Sequence, residues 1–158
     1  MTLTNSPPAS AGADDLDCSI QATLDLVGDR WTLLILRDIF RGVHRFSQIR
    51  KDLGIAKNLL ADRLTRLVDH GILHKVPYQE RPLRHEYRLT AKGLDLSPAL
   101  VALMGWGDRW AADGEPPTVL IHDACGTALE QVLLCPACDQ TVQPSHIRSR
   151  PGPGRCED

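Results

Sequence analysis

The chain has 158 residues, of which 42% are apolar and only 4% aromatic. This length accommodates one domain of ordinary size with a small addition, and the composition predicts aliphatic side chains packed between helices. The sequence contains no apolar stretch of the roughly 18 residues that a membrane-spanning helix needs, and no basic-then-apolar secretion signal. We therefore expect a soluble, cytoplasmic protein without a membrane partner.

Charge is distributed unevenly along the chain. The net charge is -2, but residues 17–95 carry 14 Lys and Arg against 10 Asp and Glu, and the remaining residues carry 4 against 10. The positive middle of the chain is a candidate surface for an anionic partner. Charge alone does not distinguish this surface from an ordinary solvated one.

The first half of the chain predicts short helices. Residues 1–15 are rich in Ser, Pro, Ala and Asp without periodicity, which indicates a flexible leader. Apolar residues at positions i, i+4 and i+7 then predict a short helix that ends at Gly28. Asp29 is suited to cap a second helix, "RWTLLILRDIF", whose nearly continuous apolar surface predicts the buried centre of the fold.

Two further helices follow with only a few residues between them. The segment "FSQIRKDLG" has helical periodicity and ends at Gly54, where a terminating glycine is expected. The next segment, "KNLLADRLTRLVDHGIL", places Leu60, Leu64 and Leu67 on one face and polar residues on the other. This layout predicts a helix-turn-helix with an exposed second helix.

After this pair the periodicity changes from helical to extended. The segments "ILHKVPY" and "RHEYRL" predict two strands joined by the polar turn "QERPL". A helix-turn-helix followed by such a hairpin is a winged helix. Thr90 is suited to cap a last helix, which Pro98 either kinks or restarts after Ser97. The predicted fold class is α+β, mainly α, with a long C-terminal helix.

The polar face of the helix-turn-helix has the chemistry to read DNA. Asn58 can bond adenine, Arg63 or Arg66 can bond guanine or a phosphate, and Asp62 can accept from cytosine or orient Arg66. Lys57 lies nearer the packed face, so we expect at most a contact with the DNA backbone. Contacts with phosphates or the minor groove are expected of the remaining arginines: Arg45, Arg50, Arg81, Arg84 and Arg88.

Residues 18–110 closely resemble the HxlR family of bacterial winged-helix transcription regulators. The segments that carry the resemblance are "DRWTLLILRDI", "RFSQI", "LLADRLTRLVDHGIL", "YQERPLRHEYRLTAKG" and the closing "WG". The resemblance implies a homodimer, paired through the first and last helices, with one recognition helix for each half-site of a near-palindromic operator. Ala56 departs from the family, which more often has a small hydroxyl residue capping the recognition helix.

Cys18 matches a family position at which some relatives sense oxidants or electrophiles through a thiol. Such sensing requires a stabilised thiolate within reach of solvent. A buried or half-buried, inert thiol is the simpler interpretation, because free cysteines are often buried. Regulation through Cys18 is therefore a hypothesis.

The segment after Trp110 is not explained by the resemblance, since many shorter members lack it. It contains "HDACG" and "CPACD", in which two pairs of N and S ligands lie on tight turns: His122, Cys125, Cys135 and Cys138. Four such ligands suit a structural, tetrahedral Zn²⁺ ion. Asp139 replaces the glycine usual after the second cysteine of such a turn. A metal-free reduced turn or a disulfide between Cys135 and Cys138 are the alternatives.

These observations predict four regions and one function. The regions are a leader (1–15), a winged helix for DNA binding and dimerisation (16–112), a small zinc-ribbon-like extension (113–147) and a flexible tail (148–158). The predicted function is a sequence-specific transcription regulator, a repressor more readily than an activator, with a small-molecule or redox effector and no enzymatic activity. The alternatives are a protein-interaction module that does not bind DNA and a CxxC thiol redox protein, although the βαβ pattern of thioredoxin-like domains is missing.

Overall fold

The computed structural model describes residues 18–150, 152 and 153. The predicted leader (1–15) lies outside these residues, as do most of the predicted tail and Cys156. The helices and strands follow in this order: α1 (Ser19–Val27), α2 (Arg30–Phe40), α3 (Phe46–Leu53), α4 (Lys57–Asp69), β1 (Leu73–Glu80), β2 (Leu83–Leu89), α5 (Ala91–Leu94) and α6 (Ser97–Trp110), with a 3₁₀ turn at Pro144–His146. The order of α3, α4 and the β1–β2 hairpin is that of a winged helix.

Helix α2 lies at the centre of the fold, as its sequence predicts. The Asp29 carboxylate accepts hydrogen bonds from the backbone N–H groups of Trp31 and Thr32, so it caps the start of the helix. The core-facing side chains of α2 are fully or almost fully buried: Ile35, Leu36 and Ile39. Burial of each such side chain contributes about 1.5–3 kcal/mol, so α2 is a major source of stability.

The helix-turn-helix is formed by α3 and α4. Helix α3 ends at Gly54, whose φ of 62° lies in the left-handed region that favours glycine. Helix α4 begins two residues after Ile55 without a side-chain cap, because Ala56 stands at the N-cap position. Its apolar face is fully buried, as the periodicity predicts: Leu60, Leu64 and Leu67. Its opposite face is left free for a ligand.

The hairpin is longer than the sequence predicts. Strands β1 and β2 are antiparallel and pair from Leu73 opposite Leu89 to Glu80 opposite Leu83, with an irregularity between Pro77 and Gln79. The polar residues expected in the turn belong mostly to the strands, because backbone pairing does not depend on side-chain polarity.

The hairpin is also tied to the start of α3. The backbone N–H of Tyr87 donates to the carbonyl of His44 at 2.8 Å, and Arg45 forms an isolated bridge with Glu86. These contacts fix the orientation of the wing relative to the helix-turn-helix.

The segment after the wing is divided into two helices. The Thr90 hydroxyl accepts from the N–H of Gly93 and caps the short α5, as predicted. Helix α6 then begins anew at Ser97 with Pro98 in its first turn, so Pro98 marks a restart and not a kink within one long helix. Helix α6 spans 14 residues, none of which is buried in the single chain.

The extension has little regular structure. Its predicted short strands are reduced to two isolated bridges, and none of the residues from 113 to 150 is buried. No helix among the described residues is long and apolar enough to cross a membrane.

Candidate nucleic-acid interface

The outer face of α4 is open to solvent. Lys57 and Asn58 in the first turn and Asp62 and Arg66 further along are all exposed. Among the described residues Arg66 forms no ion pair, so its guanidinium is available to a ligand. The predicted pairing of Asp62 with Arg66 is wrong: Asp62 instead pairs with Arg63.

Arg63 is held against the scaffold and does not extend freely from α4. Its Nε donates to Asp29 Oδ1 at 3.0 Å, and its Nη1 contacts the Asp62 carboxylate. Its side chain is only 21% exposed. The sequence suggested a base or phosphate contact for Arg63, and in this structure both its partners are acidic residues of the same chain. The pair with Asp29 joins α4 to the residue that caps α2.

The Asp29 carboxylate joins the start of α2 to α4. Partial burial raises the pKa of Asp29, but hydrogen bonds from Thr32 and Arg63 outweigh it and hold the pKa below its usual value of 3.8. Asp29 is thus ionised at neutral pH, where it serves as helix cap and as anchor for α4. The sequence predicted the cap but not the anchor, because the two residues are 34 positions apart.

The arginines of α3 and the wing fall into two groups. Arg45 and Arg88 are engaged: the Arg45 guanidinium stacks 4.3 Å from the Tyr78 ring centre, and Arg88 Nη2 lies 2.6 Å from the Glu86 carboxylate. The hydrogen bond from Arg88 lowers the pKa of Glu86, so Glu86 is ionised at neutral pH and pairs with the Arg88 cation. The other group is exposed and forms no ion pair within the described part of the chain: Arg50, Arg81 and Arg84.

Tyr78 is a supporting residue that the sequence did not single out. Tyr78 lies on β1, and its ring packs against the Arg45 guanidinium. A tyrosine in an amphipathic strand is most simply a packing residue, so only the spatial contact identifies this role. The contact adds a side-chain link between the wing and the start of α3.

The thiol of Cys18 is exposed at the N-cap position of α1. A buried or half-buried thiol was the simpler expectation, and it is wrong for the single chain. The physical reason is that α1 packs on the core only near its end, where Val27 is buried, while its first turns project into solvent.

The extension forms the two predicted ligand pairs but does not bring them together. His122 Nδ1 lies 3.2 Å from Cys125 Sγ, and Cys135 and Cys138 share a second turn. The backbone N–H groups of Ala137 and Cys138 donate to the Cys135 sulfur and lower its pKa. Within residues 18–150, 152 and 153, no three His, Cys, Asp or Glu side chains converge as a metal-binding group, so the described structure does not assemble the expected four-ligand centre.

Comparison with known proteins identifies the family. The sequence profile of the HxlR-like helix-turn-helix family matches residues 26–115, which is more than half of the chain. The chain belongs to the HxlR-like helix-turn-helix family. The matched region contains α2, the helix-turn-helix, the wing and α6.

Relatives of this HxlR-family protein extend beyond the matched region. An uncharacterized HTH-type transcriptional regulator of Mycobacterium tuberculosis is 46% identical over 137 residues, covering 86% of this chain and 87% of the relative. An alignment of 137 residues cannot fit within residues 1–110, so it includes part of the extension after Trp110. A regulator of Synechocystis is 39% identical over 94 residues, 59% of this chain and 70% of that protein.

Solved structures share the fold. The crystal structure of PA1607, proposed to be a transcription factor, is 37% identical with a TM-score of 0.75 and covers 85% of this chain and 94% of that one. The redox regulator HypR in its oxidized form is 28% identical with a TM-score of 0.55, covering 61% of this chain and all of HypR. This HxlR-family protein is therefore a helix-turn-helix transcription regulator.

Proposed function

We propose that this protein acts as a homodimeric repressor that binds a near-palindromic duplex operator through α4 and the wing. The observation that carries the proposal is the free outer face of α4, with Asn58 and Arg66 exposed and Arg66 unpaired among the described residues. A helix of this kind fits the major groove of B-DNA, where Asn suits adenine and Arg suits guanine.

The side chains around α4 make two kinds of contact, one with bases and one with phosphates. Bases are read by Asn58 and Arg66. Phosphates are contacted by the remaining exposed cations: Arg50, Lys57, Arg81 and Arg84. Each phosphate contact releases a bound counterion, so affinity falls steeply as salt rises. Because Arg45, Arg63 and Arg88 already have partners within the chain, they hold these surfaces in place and add little to the salt dependence.

A second copy of the chain covers the apolar surfaces of α1 and α6. The large apolar side chains of these helices are more than half exposed in the single chain: Ile20, Leu24, Leu103, Trp106 and Trp110. Large exposed apolar surfaces mark interaction sites in soluble proteins. A two-fold dimer through these helices presents two copies of α4, which explains an operator with two half-sites.

A thiol effector is the second candidate for regulation. The exposure of Cys18 at the start of α1 favours it, since this helix belongs to the proposed dimer interface. The similarity to HypR, a redox regulator, points in the same direction. In this hypothesis oxidation of Cys18 changes the dimer interface and thereby the spacing of the two α4 helices.

Fluorescence anisotropy with a duplex from the gene's own upstream region tests DNA binding. We expect Arg66→Ala and Asn58→Ala each to weaken specific binding by about 1–3 kcal/mol, or roughly 5- to 150-fold. Lys92→Ala is the matched control, because Lys92 donates to the carbonyl of His70 at the far end of α4 and its removal costs the same charge as Arg66→Ala. If Arg66→Ala and Asn58→Ala bind the duplex as tightly as the parent, the assignment of DNA binding to the outer face of α4 is refuted.

Two further measurements separate the alternatives. Light scattering after size exclusion should give the mass of two chains for the parent. The double variant Trp106→Ala/Trp110→Ala should give the mass of one chain. A folded parent dimer that binds no duplex at low salt would instead support a protein-interaction module.

A further inference from the structure

The extension contains the same turn twice. Residues 120–129 and 133–142 each form a tight hairpin, and the second follows the first at a constant offset in the sequence. In each hairpin the outer backbone N–H donates to the opposite carbonyl at 2.8 Å, from Leu129 to Leu120 and from Val142 to Leu133. One isolated bridge lies inside each hairpin, at Ile121 with Ala128 and at Leu134 with Thr141. The repetition is structural, since few residue types are shared.

The tips of the two hairpins also agree in backbone conformation. The N–H of Gly126 donates to the carbonyl of His122, and the N–H of Asp139 donates to that of Cys135. Gly126 has a φ of 70° and Asp139 a φ of 55°, so the residue after each second ligand is left-handed. Asp139 is the non-glycine residue with positive φ among the described residues. It adopts a conformation that favours glycine, which indicates that the turn itself is required.

The two hairpins place His122 and Cys125 in the same positions as Cys135 and Cys138. In the first hairpin His122 Nδ1 lies 3.2 Å from Cys125 Sγ. The matching backbone hydrogen bonds place Cys135 and Cys138 on an equivalent turn in the second hairpin. Each hairpin is therefore a preformed pair of ligands.

The extension also lacks a core of its own. No residue from 113 to 150 is buried, and its large apolar side chains are more than half exposed: Val119, Ile121, Leu129, Val132, Leu133 and Leu134. A segment of this size cannot bury enough apolar surface to hold one conformation, and small domains of this kind use a disulfide or a metal instead.

We propose that His122, Cys125, Cys135 and Cys138 bind one Zn²⁺ ion that joins the two hairpins into a small ribbon. The described structure shows the halves apart, so binding requires the connecting residues 130–132 to bring the hairpins together. Four N and S ligands complete a tetrahedral site without an open position, so the role is structural. Binding displaces the thiol protons to solvent, and the energy of coordination offsets the missing core. This site is independent of the proposed DNA contacts.

Metal analysis of the full chain tests the site. The protein is purified in reducing buffer without added metal, and zinc is measured by mass spectrometry. We expect about one zinc per chain for the parent and a several-fold lower content for Cys135→Ser and His122→Ala. The matched controls are Cys18→Ser and His146→Ala, which change the same residue types elsewhere and should retain the ion. Replacement of zinc by Co²⁺ should give the intense visible bands of tetrahedral cobalt.

Several results would overturn the proposal. One is a parent protein without stoichiometric metal even after zinc is added, and another is full zinc content in Cys135→Ser. A ratio near one half would indicate a site shared by two chains. In protein prepared without reductant, a native mass two hydrogens short that is restored by reductant would indicate a Cys135–Cys138 disulfide. Far-UV circular dichroism verifies that each variant keeps its helices. Zinc content is measured without DNA, so a protein without zinc would refute the metal site and leave the proposed repressor function untouched. Loss of DNA binding would likewise leave the metal site untouched.

Discussion

The ion pair between Asp29 and Arg63 should couple the stability of α2 to the placement of the recognition helix. Asp29→Asn keeps a side chain that caps helices well but removes the charge, and Arg63→Gln removes the other partner. The two side chains are 36% and 21% exposed, so solvent screens part of the attraction. We expect a coupling energy of about 0.5–1 kcal/mol from the double-mutant cycle. Asp29→Ala also removes the cap and should cost about 1 kcal/mol more.

Urea denaturation of the four proteins, followed by far-UV circular dichroism, measures this coupling. The pKa of Asp29 is lowered in the folded state, so the ion pair contributes stability at pH above the ordinary value of 3.8. The contribution is lost as the pH falls through the folded pKa and the carboxylate is protonated. Asp62→Asn is the matched control, because Asp62 also contacts Arg63 but is 57% exposed and caps no helix. Its coupling to Arg63→Gln should be smaller.

DNA binding gives an independent readout of the same pair. If Arg63 only positions α4, Arg63→Gln weakens operator binding while the slope of log affinity against log salt stays that of the parent. Arg66→Ala provides the contrast if its guanidinium reaches a phosphate, since the slope then falls by about one. A reduced slope for Arg63→Gln, or no measurable coupling to Asp29 at neutral pH, would refute the positioning role.

Three further substitutions test the fold around the site by urea denaturation. Ala56→Ser should stabilise α4 by about 1 kcal/mol, because serine supplies the missing N-cap. The control Ala61→Ser, in the exposed middle of α4, should destabilise the helix by about 0.5 kcal/mol. Equal effects of the two substitutions would contradict the capping argument. Gly93→Ala should cost about 2–3 kcal/mol, because its Cβ would lie 2.3 Å from the carbonyl oxygen of Ile72, and a neutral effect would show that α5 shifts freely. Burial raises the pKa of Asp38 although its ion pair with Arg37 lowers it, so Asp38→Asn should stabilise the fold at neutral pH, with the gain shrinking as the pH falls towards 3.8. A pH-independent difference would count against this.

Local patterns in the sequence predicted the helices and the hairpin. The period of Leu60, Leu64 and Leu67 placed the buried face of α4, and Asp29 and Gly54 marked the start of α2 and the end of α3. These features depend on residues within a few positions of each other, so the sequence displays them directly. The end of β1 was placed too early, because ladder hydrogen bonds involve the backbone and leave no trace in side-chain polarity.

The roles of individual arginines could not be read from the sequence. Arg63 and Arg66 both lie on the polar side of α4, yet only Arg63 meets a carboxylate from a distant helix. Arg45 was likewise predicted as a DNA contact, and only three-dimensional proximity reveals its partner Tyr78. The partner of Arg88 is Glu86, two positions away on the same face of β2, so this pair was a local signal that the sequence analysis missed. Long-range pairing decides which cations are free for DNA, and one sequence contains no signal for such pairing.

The packed interior of this protein ends in the first turn of its last helix, α6. Every buried or half-buried apolar residue of the main cluster lies between Leu26 and Leu100, and the extension adds none. The winged helix therefore has a hydrophobic core to which the described residues after Trp110 contribute no buried side chain. HypR matches over its entire length within 61% of this chain, so a fold of this class can be built without a segment as long as the extension.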